Sequence, residues 1–414
     1  MTQKASPDWS VLLAPFQSLF SKPGFRYFCA FVRVFAHLDG RLWVTTVVLS
    51  HLLNRHWTNF YRFLRSSSWD VAAVSQQVFA LCLPLCKGES GRVFVAIDDT
   101  VCRKHGKQFD GAGVHYDPMN HDHPRQLSHG HCWVALAALA QQTGHKAVAL
   151  FVSCALYVPR TACRKEQPYR GKLALATQLV GALPETLCVV AVADGAYAKA
   201  PFAKALHESG RFLLSRLRRD AVFYDPPPPK EPGQKGAPRK FGEKHKASLW
   251  AASPDDWRTV CLPLYGRPRS VRFKARVVLL RSLGVTARLV AVQWVSGKTV
   301  FLFCTDMTLS ADQIVQTYAL RFAIETGFRD AKQSFGLATY QVRNETGFTR
   351  LVHLCLWAQT LLRLRCWNTP PSEDFGGWRK PLPYRTLNQQ KQYSHSQDAF
   401  FAGSGTDFAE AKPR

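Results

Sequence analysis

Short, almost wholly apolar runs dominate the chain from Arg92 onward and limit the folds open to it. They cover 93–97, 132–140, 147–157, 187–193 and 212–217. The turn-like residues 141–146 join two of these runs, which predicts an antiparallel hairpin. Helical spacing at 172–181 and at 199–208 separates the later runs. Strands that alternate with helices predict an α/β fold, with a sheet of mixed strand directions and flanking helices.

The remaining segments have other patterns. Residues 24–38 and 42–64 have helical spacing, so 1–90 is predicted to be helical; its basic helix either enters a DNA groove or is simply solvated. A Pro/Gly/Lys-rich stretch at 226–246 precedes a β-rich block at 257–305. Further helices are predicted at 310–336 and 347–367. The residues after Pro370 have no helical period, which predicts a flexible tail.

The charge balance indicates a polyanionic partner. The chain has 33 Arg and 21 Lys against 29 Asp and Glu, for a formal net charge of +25. Nucleic acid is the first hypothesis and an anionic membrane the second. The longest apolar run, 147–158, is too short to cross a bilayer, and no secretory signal is visible. The twelve cysteines have no C-x-x-C pair, so we expect a reduced cytoplasmic protein bound to nucleoid DNA.

Three carboxylates occupy positions where a carboxylate needs a partner. Asp98 and Asp194 each follow an apolar run, and Glu325 lies within a predicted helix. Such groups pair with cations or hold a hard metal such as Mg²⁺. The alternative for each aspartate is ordinary turn chemistry at a strand end.

The predicted helix around Glu325 has a narrow polar stripe. At about 100° per residue, five side chains fall on one side: Tyr318, Arg321, Glu325, Arg329 and Lys332. A carboxylate among cations suits a site that binds both metal and phosphate. An exposed helix with ion pairs four residues apart, such as Arg321–Glu325, would give the same pattern.

These motifs resemble those of a known family. Tyr318-x2-Arg321-x3-Glu325-x6-Lys332 resembles the Y-R-E-K signature of DDE transposases from bacterial insertion sequences. The sequence Asp98-Asp99-Thr100 resembles their first carboxylate motif, and Asp194-Gly195-Ala196-Tyr197 the second. The resemblance covers roughly residues 25–367. It implies an RNase H-like mixed sheet with flanking helices, interrupted by a β-rich insertion and preceded by an N-terminal helical domain.

The resemblance also implies a site and a reaction. Asp98, Asp194 and Glu325 would bind two Mg²⁺ or Mn²⁺ ions, while Tyr318, Arg321 and Lys332 would hold phosphates. Asp98 is preferred as first ligand for its spacing to Thr100, although a register slip of one residue would substitute Asp99. The implied function is cut-and-paste transposition by a dimer that binds transposon ends and target DNA. The alternatives are a nuclease without strand transfer and a catalytically inert DNA-binding relative.

With the resemblance, the chain divides into five predicted regions. These are an N-terminal helical DNA-binding domain (1–90), the catalytic domain in two parts (91–216 and 306–368), a β-rich insertion (217–305) and a flexible tail (369–414). Further DNA contacts are predicted in two places in the insertion and at one position of the stripe. They are Arg272, Lys274 and Arg276 on one strand face, Trp294 as a stacking residue or a core residue, and Arg329. His131 is a candidate for orienting a carboxylate or phosphate.

Overall fold

The computed structural model describes residues 8–37, 42–88, 90–106, 108–142, 146–163, 168–230, 236–294 and 297–368. All structural statements refer to these residues. The predicted tail at 369–414 and the centre of the predicted turn at 141–146 lie outside them.

Helices form the N-terminal region. They are α1 (Trp9–Leu13), α2 (Lys22–His37), α3 (Val44–Leu49), α4 (Trp57–Arg65) and α5 (Val71–Cys86), with a 3₁₀ helix at Ala14–Leu19. The prediction of one helix over 42–64 is wrong, because α3 ends before His51, whose φ of 54° cannot continue a right-handed helix. After the break, α4 buries Phe63 against α2, where its ring stacks on Phe31 at 5.6 Å.

A single mixed sheet of twelve strands forms the centre of the described structure. The strands are β1 (Val93–Arg103), β2 (Gly113–Tyr116), β3 (Leu127–Ala140), β4 (Val148–Tyr157), β5 (Val189–Ala193), β6 (Phe212–Leu217), β7 (Val222–Tyr224), β8 (Lys244–Lys246), β9 (Arg258–Leu264), β10 (Arg267–Leu280), β11 (Val285–Gln293) and β12 (Thr299–Cys304). Their order is β2-β3-β1-β5-β6-β12-β11-β10-β7-β8, with β4 beside β3 and β9 beside β10. Strands β1, β5 and β6 are parallel to one another, and the other pairs are antiparallel.

The remaining helices flank this sheet. They are α6 (Lys172–Gly181), α7 (Ala200–Glu208), α8 (Ala247–Ala252), α9 (Ala311–Leu320), α10 (Phe322–Ser334) and α11 (Glu345–Arg365). Helix α11 is buried along most of its length, and Trp357 Nε1 donates to the carbonyl of Val152 on β4 at 2.8 Å. The predicted fold class is therefore confirmed: a mixed α/β sheet with flanking helices, a β-rich block and N-terminal helices.

The β-rich block continues the central sheet. Strand β12 pairs with β6, with Leu302 opposite Arg216. The block therefore approaches the end of β6 directly, while the division of the chain into five regions remains a prediction. No described helix is long and apolar enough to cross a membrane. The twelve cysteines are free, as expected for reduced thiols.

A buried ion pair ties the start of β1 to the turn before α9. Arg92 donates to Asp306 and to the hydroxyl of Thr308, and the Asp306 side chain is 1% exposed. The guanidinium and Thr308 lower the pKa of Asp306 in spite of its burial. This pair fixes the entry of α9 relative to β1, which positions the polar stripe that follows.

Candidate active site

Asp98 and Asp194 lie side by side at the point where the pairing between β1 and β5 ends. The prediction that strand β1 ends at Asp98 is wrong, because β3 pairs with β1 as far as Arg103. Pairing with β5 stops one position earlier, with Ile97 opposite Ala193. The next residue on each parallel strand is the predicted aspartate, and the Asp194 carboxylate contributes to raising the pKa of Asp98. The structure thus brings these two carboxylates together.

The neighbouring Asp99 is engaged in a different set of contacts. Its carboxylate accepts from Lys172 Nζ at 2.6 Å and from the Tyr197 hydroxyl at 3.0 Å. Adjacent residues of a strand point to opposite faces, so Asp99 is directed toward α6 while Asp98 is directed toward α10. In this register Asp98, not Asp99, joins the other predicted site residues.

Arg321 joins Asp98 to Glu325. The predicted helix over 310–336 is two helices: α9 begins with a capping box formed by Ser310 and Gln313 and is separated from α10 by a tight turn at Arg321. Arg321 Nη1 donates to Asp98 Oδ2 at 3.2 Å, and Nη2 donates to Glu325. The Arg321 and Asp98 side chains are 13% and 18% exposed, so this half of the bridge is largely buried, whereas the Glu325 side chain is 43% exposed.

The electrostatics of the site are dominated by burial. Burial raises the pKa of Asp98 to about 7, an effect that Arg321 and the backbone N–H of Asp99 partly offset. Burial also raises the pKa of Tyr318, while Arg321 and Arg216 act to lower it. The Tyr318 hydroxyl is buried next to Arg321, which acts on it through its charge and as a hydrogen-bonding side chain. The site therefore combines a buried carboxylate and a buried hydroxyl, both beside the same guanidinium.

The donor atoms suit a hard cation. Asp98 on β1, Asp194 after β5 and Glu325 on α10 supply only carboxylate oxygens, which Mg²⁺ and Mn²⁺ prefer. In the part of the chain that the structure describes, these oxygens do not all lie within 4.8 Å of one another. Arg321 bridges two of the three carboxylates. A metal ion held by all three would therefore compete with the guanidinium of Arg321.

The remaining residues of the polar stripe, Arg329 and Lys332, lie alongside β1. Arg329 and Lys332 are both half-buried on α10. Lys332 is close enough to Cys102, near the end of β1, to act on its pKa, although burial raises that pKa overall. Helix α10 thus runs along β1 from Asp98 toward Cys102, and its cations extend the site in that direction.

The three cations predicted to share a face of β10 have different surroundings. Arg272 is exposed, with its guanidinium 5.0 Å from the Trp257 ring centre. Lys274 is 2% exposed, and its Nζ donates to the carbonyl of Ser253 at 3.0 Å. The prediction that all three cations are available to DNA on one strand face is therefore wrong at Lys274, because the residues that follow α8 cover this side chain. Arg276 is paired with Asp225 at 2.6 Å.

Trp294 is linked to the site by two other aromatic rings, those of Tyr265 and Phe322. It is half-buried, and its ring lies 6.3 Å from that of Tyr265 at the β9–β10 turn. The Tyr265 ring lies 6.4 Å from Phe322, the first residue of α10, which is 50% exposed. These three rings therefore form a row beside Arg321.

His131 does not face the carboxylates. It is fully buried, and its ring nitrogens contact the Tyr340 hydroxyl at 2.6 Å and the Asp110 carbonyl at 2.9 Å. Burial lowers its pKa to about 4. The prediction that His131 orients a carboxylate or phosphate is wrong, because the ring packs in the core against Phe348.

Sequence reasoning missed three residues at this site. Arg216 is exposed at the end of β6 and acts on Tyr318, and Tyr265 and Phe322 extend the aromatic row. Arg216 could have been found from the sequence, because it lies at the carboxyl end of a strand parallel to β5, and such ends lie at the same edge of the sheet as Asp194. Tyr265 had none, because its position depends on how the β-rich block docks.

Comparison with known proteins gives one family match. A family model described as DDE superfamily endonuclease matches residues 37–278, a segment that includes Asp98 and Asp194 and ends before Glu325. No curated protein matches the sequence. Among solved structures, the chain is similar to the piggyBac transposase in a cryo-EM synaptic complex with hairpin DNA. The TM-score is 0.38 and the identity 11%, over 94% of this chain and 76% of that chain.

Proposed function

Because the chain belongs to the DDE superfamily endonucleases, we propose that it is a DNA transposase of an insertion sequence that cuts transposon ends and joins them to target DNA. One observation carries this proposal. Asp98 and Asp194 each come one position after the last paired residues of the parallel strands β1 and β5, and Arg321 connects Asp98 to Glu325 on α10. Three carboxylates from three elements are thereby gathered at one site, next to cations suited to phosphate.

The central strand order supports an RNase H-like catalytic domain. Strands β4, β3 and β1 are antiparallel neighbours, and β5 and β6 continue the sheet parallel to β1. The first aspartate lies on the central strand β1, the second follows its parallel neighbour β5, and the glutamate lies on a helix. The order along the chain is thus strand–Asp, strand–Asp, helix–Glu, and it matches the order in the RNase H-like fold of the DDE transposases that the motifs resemble.

We assign Asp98, Asp194 and Glu325 as the ligands of two Mg²⁺ or Mn²⁺ ions. Carboxylate oxygens fit these ions, and the unfavourable burial of Asp98 is the kind of cost that a bound cation offsets. When bound, such ions stabilise the charge that develops on a phosphodiester during in-line displacement. The chain's own residues set the geometry: Arg321 donates to both Asp98 and Glu325 and so holds the side chains from β1 and α10 close together.

The cations around the carboxylates would hold DNA phosphates. Arg321 directly precedes α10, Arg329 and Lys332 lie on it, and Tyr318 adds a buried hydroxyl beside Arg321. Arginine binds phosphate through two parallel hydrogen bonds, which fixes orientation as well as position. The net charge of +25 favours binding to two DNA segments, with an affinity that falls steeply as salt rises.

Contacts from the β-rich block would complete the DNA site. Arg272 is exposed and available to phosphate, whereas Lys274 and Arg276 are engaged by the protein itself and fit a supporting role better. Trp294 lies in the aromatic row beside Arg321, which is compatible with stacking on a base. The proposed assembly is a dimer on double-stranded DNA in the bacterial cytoplasm, as the family resemblance implies.

Strand transfer separates this proposal from a simple nuclease. The assay contains the purified protein, Mg²⁺, a plasmid target and a DNA fragment that ends in the inverted repeat expected beside its gene. A transposase yields products in which the fragment is covalently joined to the plasmid. Cut fragments without joined products would indicate a nuclease, and DNA binding without cutting would indicate an inert relative.

A further inference from the structure

We propose that Asp225, Glu243 and His245 form a second metal site, for a borderline divalent ion such as Zn²⁺ or Co²⁺, at the base of the segment between β7 and β8. One ligand atom from each residue lies within 4.8 Å of the other two. Among the described residues, no other group of three or more His, Cys, Asp or Glu side chains meets this criterion.

The register of the β7–β8 pair places the three side chains on one face. Phe223 lies opposite His245, and the backbone N–H of Asp225 donates to the Glu243 carbonyl at 3.0 Å. Residues two apart on a strand share a face, so Asp225 follows Phe223 on that face and Glu243 precedes His245. The Phe223 ring stacks on the imidazole at 5.2 Å and holds it in position.

This arrangement places two carboxylates directly opposite each other. Like charges at facing positions of an antiparallel pair are destabilising unless a cation lies between or beside them. Arg276 neutralises one carboxylate by donating to Asp225 Oδ2 at 2.6 Å. With a neutral imidazole the cluster still has one excess negative charge, which a divalent ion would offset.

One ligating atom of the cluster is unused. Asp225 Oδ1 is fully buried and has no hydrogen-bond partner in the part of the chain that the structure describes. Buried polar atoms without partners are costly and uncommon in folded proteins. The other oxygen, Oδ2, already serves both Arg276 and His245, so the unused one has the lone pairs needed for a metal.

The spacing fits a small tetrahedral ion. Ligand atoms around an ion with bonds of about 2 Å lie about 3.3 Å apart. One ligand atom of each of the three residues lies within 4.8 Å of the other two, and His245 Nε2 is 4.0 Å from Glu243 Oε2, so side-chain rotations would produce that spacing. Binding through Asp225 Oδ1 would replace the present hydrogen bond between His245 Nε2 and Asp225 Oδ2, which is 2.9 Å long. One imidazole nitrogen with two carboxylates is a donor set for zinc-like ions, and water would fill the fourth position.

The site would act on the segment 226–242. This segment connects β7 to β8 and has the exposed cations Lys230, Arg239 and Lys240. A metal ion at its base would hold both ends of the segment together without contacting the carboxylates of the catalytic site. The expected role is structural, independent of whether the protein is a transposase.

Co²⁺ spectroscopy on the full chain tests this site. The experiment uses an Asp194→Asn background, so that the proposed catalytic carboxylates contribute less to binding. Adding Co²⁺ should produce the visible absorption of a four-coordinate N/O site at one equivalent. The key variant is Glu243→Gln, because the Glu243 side chain is 78% exposed and its replacement should not disturb folding. We expect its Co²⁺ affinity to fall by more than about tenfold.

Two further variants complete the test. His245→Ala should abolish the absorption band, whereas His207→Ala, which removes an exposed histidine on α7, should leave it unchanged. Absence of the band in the Asp194→Asn protein would overturn the proposal. So would equal Co²⁺ affinity in Glu243→Gln and its parent, or equal loss of the band in both histidine variants. None of these outcomes depends on DNA cleavage.

Discussion

Arg321 and Asp98, which are 223 positions apart in the sequence, form a largely buried ion pair in which Nη1 donates to Oδ2 at 3.2 Å. The same guanidinium donates to Glu325 one helical turn later. A single cation therefore connects the central strand to the helix that completes the site. Whatever binds these two carboxylates must either displace Arg321 or turn it toward another anion, and a DNA phosphate is such an anion.

Replacing Arg321 or Lys332 with alanine should weaken DNA binding and reduce its salt dependence. Each lost phosphate contact lowers the slope of log affinity against log salt by about one unit. Cleavage should fall as well, because in-line geometry depends on how the phosphate is held. Affinity for end DNA at several salt concentrations measures this. An unchanged slope in both variants would mean that the stripe on α10 serves only the fold.

Asp98 and Asp99 should respond differently to amide substitution. Asp98→Asn should abolish cleavage and leave the fold intact. Asp99→Asn should mainly lower the melting temperature, because it weakens the hydrogen-bonded pair with Lys172 and the bond from Tyr197. Melting curves and cleavage assays on both variants check this. Loss of cleavage in a well-folded Asp99→Asn, with activity retained in Asp98→Asn, would indicate that the strand register is wrong.

The burial of Asp98 predicts a pH-dependent stability of the metal-free protein. Its folded-state pKa, about 7, is raised above the usual value of 3.8. The protonated form is therefore favoured in the fold, and this stabilising contribution is complete below about 3.8 and is lost progressively as pH rises from there through about 7. We expect Asp98→Asn to be more stable than wild type at pH 8 in the presence of a chelator, by about 1 kcal/mol or more, and to differ less at pH 6. Chelated samples of both proteins at both pH values provide the test, and an equal difference at the two values would contradict it.

Arg92→Met should destabilise the fold strongly. It would leave Asp306, whose side chain is 1% exposed, as an uncompensated buried charge. Breaking a buried pair from one side typically costs about 3–5 kcal/mol. Urea unfolding of the variant measures the loss. Replacing Arg258, an exposed arginine on β9, with methionine is the matched control and should have little effect; a comparable loss there would argue against the importance of the buried pair.

Much of the fold could be predicted because periodicity reports local structure. The predicted strand at 212–217 and helix at 172–181 match β6 and α6. The predictions failed where tertiary contacts overrule local pattern. Strand β1 extends past Asp98 only because β3 pairs along it, and no local signal shows the length of a partner strand. The alternation of buried and exposed side chains along β10 ends at Lys274, because residues from another part of the chain cover that side chain.

The sequence supplied the candidate members of the site but not the contacts between them. Short motifs identified the carboxylates and the cations of α10, since each motif lies within one element. The bridge from Arg321 to Asp98 depends on how α10 packs against β1, which no motif encodes. The aromatic row of Trp294, Tyr265 and Phe322 depends in the same way on docking of the β-rich block against α10.

The central claim is that Asp98, Asp194 and Glu325 act together at one metal-dependent site. Cleavage of DNA carrying the flanking inverted repeat, measured in Mg²⁺ and in Mn²⁺, tests it most directly with Asp194→Asn. Asp194 is suited to this test because, among the residues that the structure describes, its side chain accepts a hydrogen bond only from the local backbone N–H of Ala196, at 2.8 Å, so the variant should fold and still bind DNA. The expected result is complete loss of cleavage in both metals with binding retained. Undiminished cleavage by this variant would remove Asp194 from the site and contradict the account.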